Sequence, residues 1–217
     1  MNFKTIMIVN TEDPVSVAYS EYCAQSWDGF NLKIFNAITP NNLDKHWGLT
    51  FGKRANNREL TDTEKACFYS QYILWRKCAE ERIPILVLEH DAYLEKPEWI
   101  KFDTRFDCTF YGQHAMEAVM YHPRFALAMM RNLETSTVVG PMSFVDGMIG
   151  YLNKGQQSRF ARPHARFMGQ RAPVRSVLDP DLGTTVKHPG GTTADRVIKD
   201  KDLFKIVNLR SEGYYNE

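Results

Sequence analysis

Two carboxylates and a histidine close an apolar run. Ile85-Leu86-Val87-Leu88 is followed at once by Glu89-His90-Asp91. In parallel α/β sheets, ligands bind beyond the carboxyl ends of the strands, and alternate residues of an extended segment share a side. Glu89 and Asp91 would then face one ion, with His90 turned elsewhere. Hard divalent cations, Mg²⁺ or Mn²⁺, take such oxygen ligands, with substrate phosphates often completing the set. The same residues also read as a polar strand end that caps the next turn, and spacing alone leaves both readings open.

Three further features could do chemistry. Asp146 lies in Phe144-Val145-Asp146-Gly147-Met148, and a carboxylate among apolar neighbours needs a partner or a task. It suits an N-cap of a short helix over 147–152, a general base, or a substrate ligand. His188 stands beside Pro189-Gly190-Gly191, either as a surface-loop histidine or as a metal ligand near backbone amides that approach a phosphate. Finally, no acidic residue occurs from Gly147 to Leu178, whereas Lys154, Arg159, Arg162, Arg166, Arg171 and Arg175 do. This basic stretch reads as a pyrophosphate clamp, as a contact surface for a polyanion, or as a solvated loop. Phenylalanines interleaved at Phe160 and Phe167 would add stacking.

The elements that must position these residues follow from pattern. Ile6 to Val9 is a buried strand, Ser16 to Ser26 a helix, and Leu32 to Phe35 a second strand, which together make a βαβ unit and a parallel sheet. Residues 40–60 form a long polar connection with a short helix near Leu43 to Trp47. Thr61-Asp62-Thr63-Glu64 is a capping box. It opens a helix whose Cys67, Ser70, Leu74 and Cys78 recur at the spacing of one buried face, and Pro84 stops it. Residues 85–88, 107–111 and 118–121 read as strands. Pro123 starts a helix running to Leu133.

Composition bounds the rest. The chain has 217 residues, 43% hydrophobic and 24% charged, which excludes disorder, collagen and coiled coil as descriptions of the whole. Net charge is +1, so any preference for a polyanion must be local. The cysteines at 23, 67, 78 and 108 form no C-x-x-C pair and suit free thiols in a reducing compartment. No run approaches the roughly 18 apolar residues of a membrane span. The N-terminal apolar run is too short for a secretory signal. A cytoplasmic protein is expected.

The segment from Leu60 to Trp75, joined to Ile85 through Asp91, resembles glycosyltransferase family 25, the lipopolysaccharide-type galactosyltransferases and their collagen-modifying relatives. That family's pattern is roughly L-T-x-G-E-x-G-C-x-x-S-H-x-x-x-W, then an apolar strand ending E-D-D. Leu60, Thr61, Glu64, Cys67, Ser70, Trp75, Glu89 and Asp91 match it. Val9-Asn10-Thr11 resembles the opening I-N-L, Phe35-Asn36-Ala37 the segment at the second strand end, and Pro141 to Asp146 a later P-x-D element. The family glycine before Glu64 is Thr63 here, its Ser-His is Ser70-Gln71, and the middle acidic residue of E-D-D is His90. These departures suit a diverged member, a viral one included, which would work in the host cytoplasm.

The resemblance implies an α/β fold: a single GT-A-like domain over 1–217, with a mostly parallel central sheet flanked by helices. Residues 1–110 would bind the nucleotide sugar, and 111–217, with the basic segment 154–175, would serve the acceptor. It implies a metal-dependent inverting glycosyltransferase. Val9, Asn10, Thr11, Ala37 and Arg54 would contact the nucleotide-sugar donor. Glu89, Asp91 and His188 would hold the divalent cation, Mn²⁺ or Mg²⁺, and Asp146 would act as general base. Arg159, Arg162, Arg166 and Arg171 would meet the acceptor or a phosphate. The acceptor is left between a hydroxymethylated base in DNA and a lipopolysaccharide or other glycan. Two other functions compete: a nucleic-acid-binding protein with a degenerate sugar site, and a metal-dependent phosphodiesterase using Glu89, Asp91 and His188.

Overall fold

The computed structural model describes residues 3–53, 59–104, 107–112, 117–133, 137–138 and 167–176. Strand β1 (Lys4–Val9), helix α1 (Pro14–Ala24) and strand β2 (Leu32–Asn36) form the expected βαβ unit. Thr5 through Val9 pair in parallel with Leu32 through Asn36. Asp13 caps α1 by accepting from the Val15 amide at 2.9 Å, and Pro14 occupies the first turn, where its missing N–H costs nothing.

After a 3₁₀ turn (Pro40–Lys45) and the two-residue strand β3 (Thr50–Phe51), helix α2 spans Asp62–Glu81. Both bonds of the capping box are present. The Thr61 amide donates to Glu64 Oε2 at 2.8 Å, and the Glu64 amide donates to Thr61 Oγ1 at 3.2 Å. Pro84 ends the helix indirectly: it disfavours helical geometry at Ile83, and Arg82 takes a left-handed cap at φ 56°.

The remaining strands are β4 (Ile85–Glu89), β5 (Ala92–Leu94), β6 (Cys108–Gly112), β7 (Ala118–Tyr121), β8 (Thr137–Val138) and β9 (Phe167–Ser176), with α3 (Pro123–Leu133) after β7. The main sheet has seven strands in the order β2-β1-β4-β7-β6-β9-β5, and β3 pairs with β8 in a second, two-stranded sheet. Pairing is parallel for β2–β1, β1–β4 and β6–β9 and antiparallel for β4–β7, β7–β6 and β9–β5. Strands β2, β1, β4, β6 and β9 therefore point one way and β7 and β5 the other. The sheet is mixed but mostly parallel in direction, as expected.

The core lies on both faces of this sheet. Ile85 and Val87 of β4 pack with Leu74, Trp75 and Cys78 of α2 and Phe125 and Met129 of α3. Leu86 and Leu88 point the other way, to Tyr19 and Cys23 of α1 and to Trp27. That alternation explains why β4 reads as an unbroken apolar run: it is covered on both sides.

Candidate active site

Three chain segments leave the sheet at one end and meet there. After β1, the Asn10 amide donates to Ser16 Oγ at 3.0 Å, while Asn10 Oδ1 accepts from the Glu12 amide at 3.0 Å. These bonds fold the β1–α1 turn back on itself. After β2, the Ala37 amide donates to the Val9 carbonyl at 2.8 Å, one step beyond the strand. The next amide, Ile38, donates to Ser70 Oγ of α2 at 2.9 Å. Thr39 then donates to Asn42 Oδ1 at 3.0 Å. Ser70 gives its own proton to the Ala66 carbonyl at 3.1 Å, so its lone pairs are free for Ile38. The β2 exit loop is thus tied to helix α2.

The end of β4 is held on both sides. The Glu89 amide donates to the Glu117 carbonyl at 3.0 Å, and the Ala92 carbonyl accepts from the Trp27 indole at 2.8 Å. The Leu94 amide donates to Ser26 Oγ at 2.9 Å. Strand β4 stops at Glu89, and His90 and Asp91 form a turn. The two-residue alternation expected beyond Leu88 therefore ends, and Glu89, His90 and Asp91 all border the same cavity. His90 also lies against Tyr19, with ring centroids 6.2 Å apart.

That cavity measures about 330 Å³. Asn10 and Asp13 border it from the β1–α1 turn, and Ala37 through Pro40 from the β2 exit. Thr63, Ala66, Cys67, Ser70 and Gln71 come from α2, and Glu89 through Asp91 from β4. Asp13, Glu89 and Asp91 bring three carboxylates to the lining, and no lysine or arginine is among the described residues that line it.

Cys67 departs from the buried face expected for α2: it is exposed and borders the cavity. Protein packed around the sulfur, and then the Glu89 and Glu64 carboxylates, push its thiol up to about 11, so it is neutral near pH 7.

Of the residues singled out from sequence, Asn10, Ala37, Glu89 and Asp91 meet at this cavity. Val9 is buried and contributes its carbonyl to the Ala37 amide, and Thr11 is exposed; neither lines the cavity. Arg54, Asp146, His188, Arg159, Arg162 and Arg166 lie outside the described residues. The backbone of Arg171 belongs to β9, so the basic segment 154–175 is not one continuous arm: its last part is a strand between β6 and β5. Sequence reasoning missed Thr63, Ala66, Ser70 and Gln71 as site residues. Their signal is a helical stripe of small and polar types at i, i+3, i+7 and i+8.

Residues 19–125 match the sequence profile of glycosyltransferase family 25 (LPS biosynthesis protein). Over 79 residues the chain is 40% identical to the lipooligosaccharide biosynthesis protein lic2B of Haemophilus influenzae, an alignment covering 32% of this chain and 30% of that protein. Among solved structures, a glycosyltransferase involved in glycosylation of the major capsid of PBCV-1 superposes with a TM-score of 0.51 at 12% identity. That match covers 94% of this chain and 99% of the other. Galactosyltransferase LgtC, in complex with donor and acceptor sugar analogs, aligns over 95% of each chain with a TM-score of 0.41 and 8% identity. The first structure shows the fold; the second is too distant to add to it.

Proposed function

This chain belongs to glycosyltransferase family 25 through residues 19–125, and from that premise we propose that it moves a sugar from a nucleotide-sugar donor to an acceptor hydroxyl. One observation carries the reading. Asn10, Ala37, Glu89 and Asp91, drawn from three separate strand ends, line a single cavity at the edge where α/β sheets take ligands. The half-buried Ala37 and Ile38 suit the nucleoside, and the carboxylate side suits its cation-bound diphosphate.

A divalent cation fits this set. The side-chain donors of Asn10, Asp13, Glu89 and Asp91 are all oxygen, which favours Mg²⁺ or Mn²⁺ over softer metals. Among the described residues no group of three or more His, Cys, Asp or Glu side chains is gathered to hold an ion. Mg²⁺ is commonly held by one or two carboxylates and completed by substrate phosphates and water. Glu89 and Asp91 are the ligands we assign, with His188 as a third. When bound, the ion neutralises charge on the departing diphosphate.

The chain's own residues do the rest in this reading. Asp146 removes the proton of the acceptor hydroxyl, which then attacks the anomeric carbon from the side opposite the diphosphate and inverts it. Residues 1–110 serve the donor and 111–217 the acceptor. The name of the Haemophilus relative favours a lipooligosaccharide-type glycan as acceptor. A polyanion such as hydroxymethylated DNA is the second reading, favoured by the acid-free stretch from Gly147 to Leu178 with Arg159, Arg162, Arg166 and Arg171.

The test is to incubate the protein with Mn²⁺ or Mg²⁺ and a panel of nucleotide sugars, recording thermal stabilisation and donor hydrolysis. A cation-dependent response to one donor is expected. Salt-sensitive DNA binding without any donor response would overturn the proposal in favour of a nucleic-acid-binding module. Phosphodiester cleavage without sugar transfer would favour a phosphodiesterase. For the acceptor, replacing Arg159, Arg162, Arg166 and Arg171 pairwise should flatten the salt dependence of duplex binding by about 0.9 per lost phosphate contact. An unchanged slope would leave the glycan.

A further inference from the structure

Gln71 is buried to 4% exposure, yet it borders the cavity. Its Oε1 accepts from the Tyr121 hydroxyl at 3.3 Å. Tyr121 is an anchored partner: it is fully buried, stacked on Phe125 at 5.7 Å and 6°, and edge-on to Trp75 at 5.9 Å and 87°. With the oxygen end of the carboxamide fixed toward Tyr121, the nitrogen end is directed away from it. Gln71 Nε2 makes no hydrogen bond with any described residue and is not sealed from solvent.

When ionised, Asp13, Glu89 and Asp91 on the lining only accept hydrogen bonds. The Ala37, Ile38 and Thr39 amides on the facing loop already donate within the protein. A ligand that displaces water from this amide must replace the lost acceptor or leave the group unsatisfied at a cost, so the cavity is complementary to a ligand that brings an acceptor oxygen to this point.

We propose that Gln71 is a donor-binding residue whose Nε2 hydrogen-bonds an oxygen of the nucleotide sugar, with Tyr121 as the positioning residue that sets the carboxamide's orientation. The proposal rests on the nucleotide-sugar reading above. The oxygen belongs to the diphosphate or to a hexose hydroxyl, and both offer the same acceptor.

The probes are UDP, UDP-galactose and UDP-glucose, each with Mn²⁺, in calorimetric titrations of the full chain. Gln71→Met keeps the length of the side chain and removes both polar ends. It should weaken binding of the responding nucleotide about tenfold, as expected for a hydrogen bond to a charged or strongly polar oxygen, and, because it takes an acceptor from the buried Tyr121 hydroxyl, lower the ligand-free melting temperature by several degrees; affinity is read well below that temperature. Equal losses for UDP and the UDP-hexose assign the oxygen to the diphosphate; a loss for the UDP-hexose alone assigns it to the sugar. Tyr121→Phe keeps both ring contacts and removes only the orienting hydroxyl. It should weaken binding about threefold, and less when Gln71→Met is already present. Wild-type affinity in Gln71→Met, or additive losses in the double variant, overturns the assignment alone. A wild-type chain that binds none of these probes and answers no other donor of the nucleotide-sugar panel overturns the nucleotide-sugar reading and this assignment with it.

Discussion

The first three turns of α2 and its last two obey different rules along one continuous stripe. Thr63, Ala66, Cys67, Ser70 and Gln71 border the cavity. One further step at the same spacing brings Leu74, Trp75 and Cys78, which are sealed against β4 and α3. The helix does not change its rotation; the sheet edge above it ends. A stripe that passes from beneath the sheet to beyond it must exchange apolar for small and polar types where it meets water and ligand. Substitutions in the last turns should therefore cost stability, and those in the first turns should cost binding.

The sharpest way to break this comparison is Leu74→Ala. Leu74 is fully buried, so truncation should destabilise by about 2–5 kcal/mol and leave donor affinity of the folded fraction unchanged, as measured by urea unfolding and calorimetry. Asp91→Asn is the converse. It should lower kcat/KM at least about a hundredfold, a transition-state loss of about 2.7 kcal/mol, with little change in the urea midpoint. Full activity of the wild type in excess chelator would undo the metal role assigned to Asp91.

Ser70→Ala sits at the boundary of the two regimes. It strands the Ile38 amide and should cost about 1–2 kcal/mol of stability together with a higher KM for donor, since the loop it anchors lines the cavity. Ser20→Ala is the matched control: Ser20 is similarly buried but donates only to the Val17 carbonyl of its own helix, so KM should not move. Thr61→Ala should cost roughly 1 kcal/mol through loss of the N-cap with no effect on donor affinity.

The smallest effect concerns Cys67. Its thiol is raised to about 11, so the thiolate is scarce until the pH climbs toward that value. Iodoacetamide labelling at pH 8 should be slow in the folded chain, faster in urea where the thiol returns to about 8.5, and slower still with nucleotide bound. Rapid labelling of the folded chain at pH 8 would contradict the crowded, carboxylate-flanked setting.

Much of this was legible in the sequence, for reasons that are local. Thr61 and Glu64 declare a helix start because cap and responder are three residues apart, and β4 declares itself by four apolar residues before Glu89. Gln71 and Ser70 were not legible as site residues, since a polar residue beside Leu74 reads equally as a buried turn; where the sheet ends is a tertiary fact. Strand β5 is three residues long, and its strand character comes from pairing with β9, with Ala92 opposite Ser176. Strand β9 contains Gly169, Arg171 and Pro173, types that argue against a strand between two neighbours. The pairing with β6 absorbs them through an irregularity: Phe110 faces Gly169, but Gly112 already faces Val174. Pro173 falls within that slip, where no regular ladder bond is demanded of it.

The grip on both ends of Glu89-His90-Asp91 has a kinetic consequence. Opening that tripeptide means releasing the Glu89 amide from the Glu117 carbonyl just before β7 and the Ala92 carbonyl from the Trp27 indole. Its amides should then exchange with deuterium on the slow timescale of the sheet rather than the fast one of a surface turn. A ligand arriving at the cavity finds the carboxylates already in place. Association is then limited by encounter and desolvation, and no ordering of the acidic segment slows it.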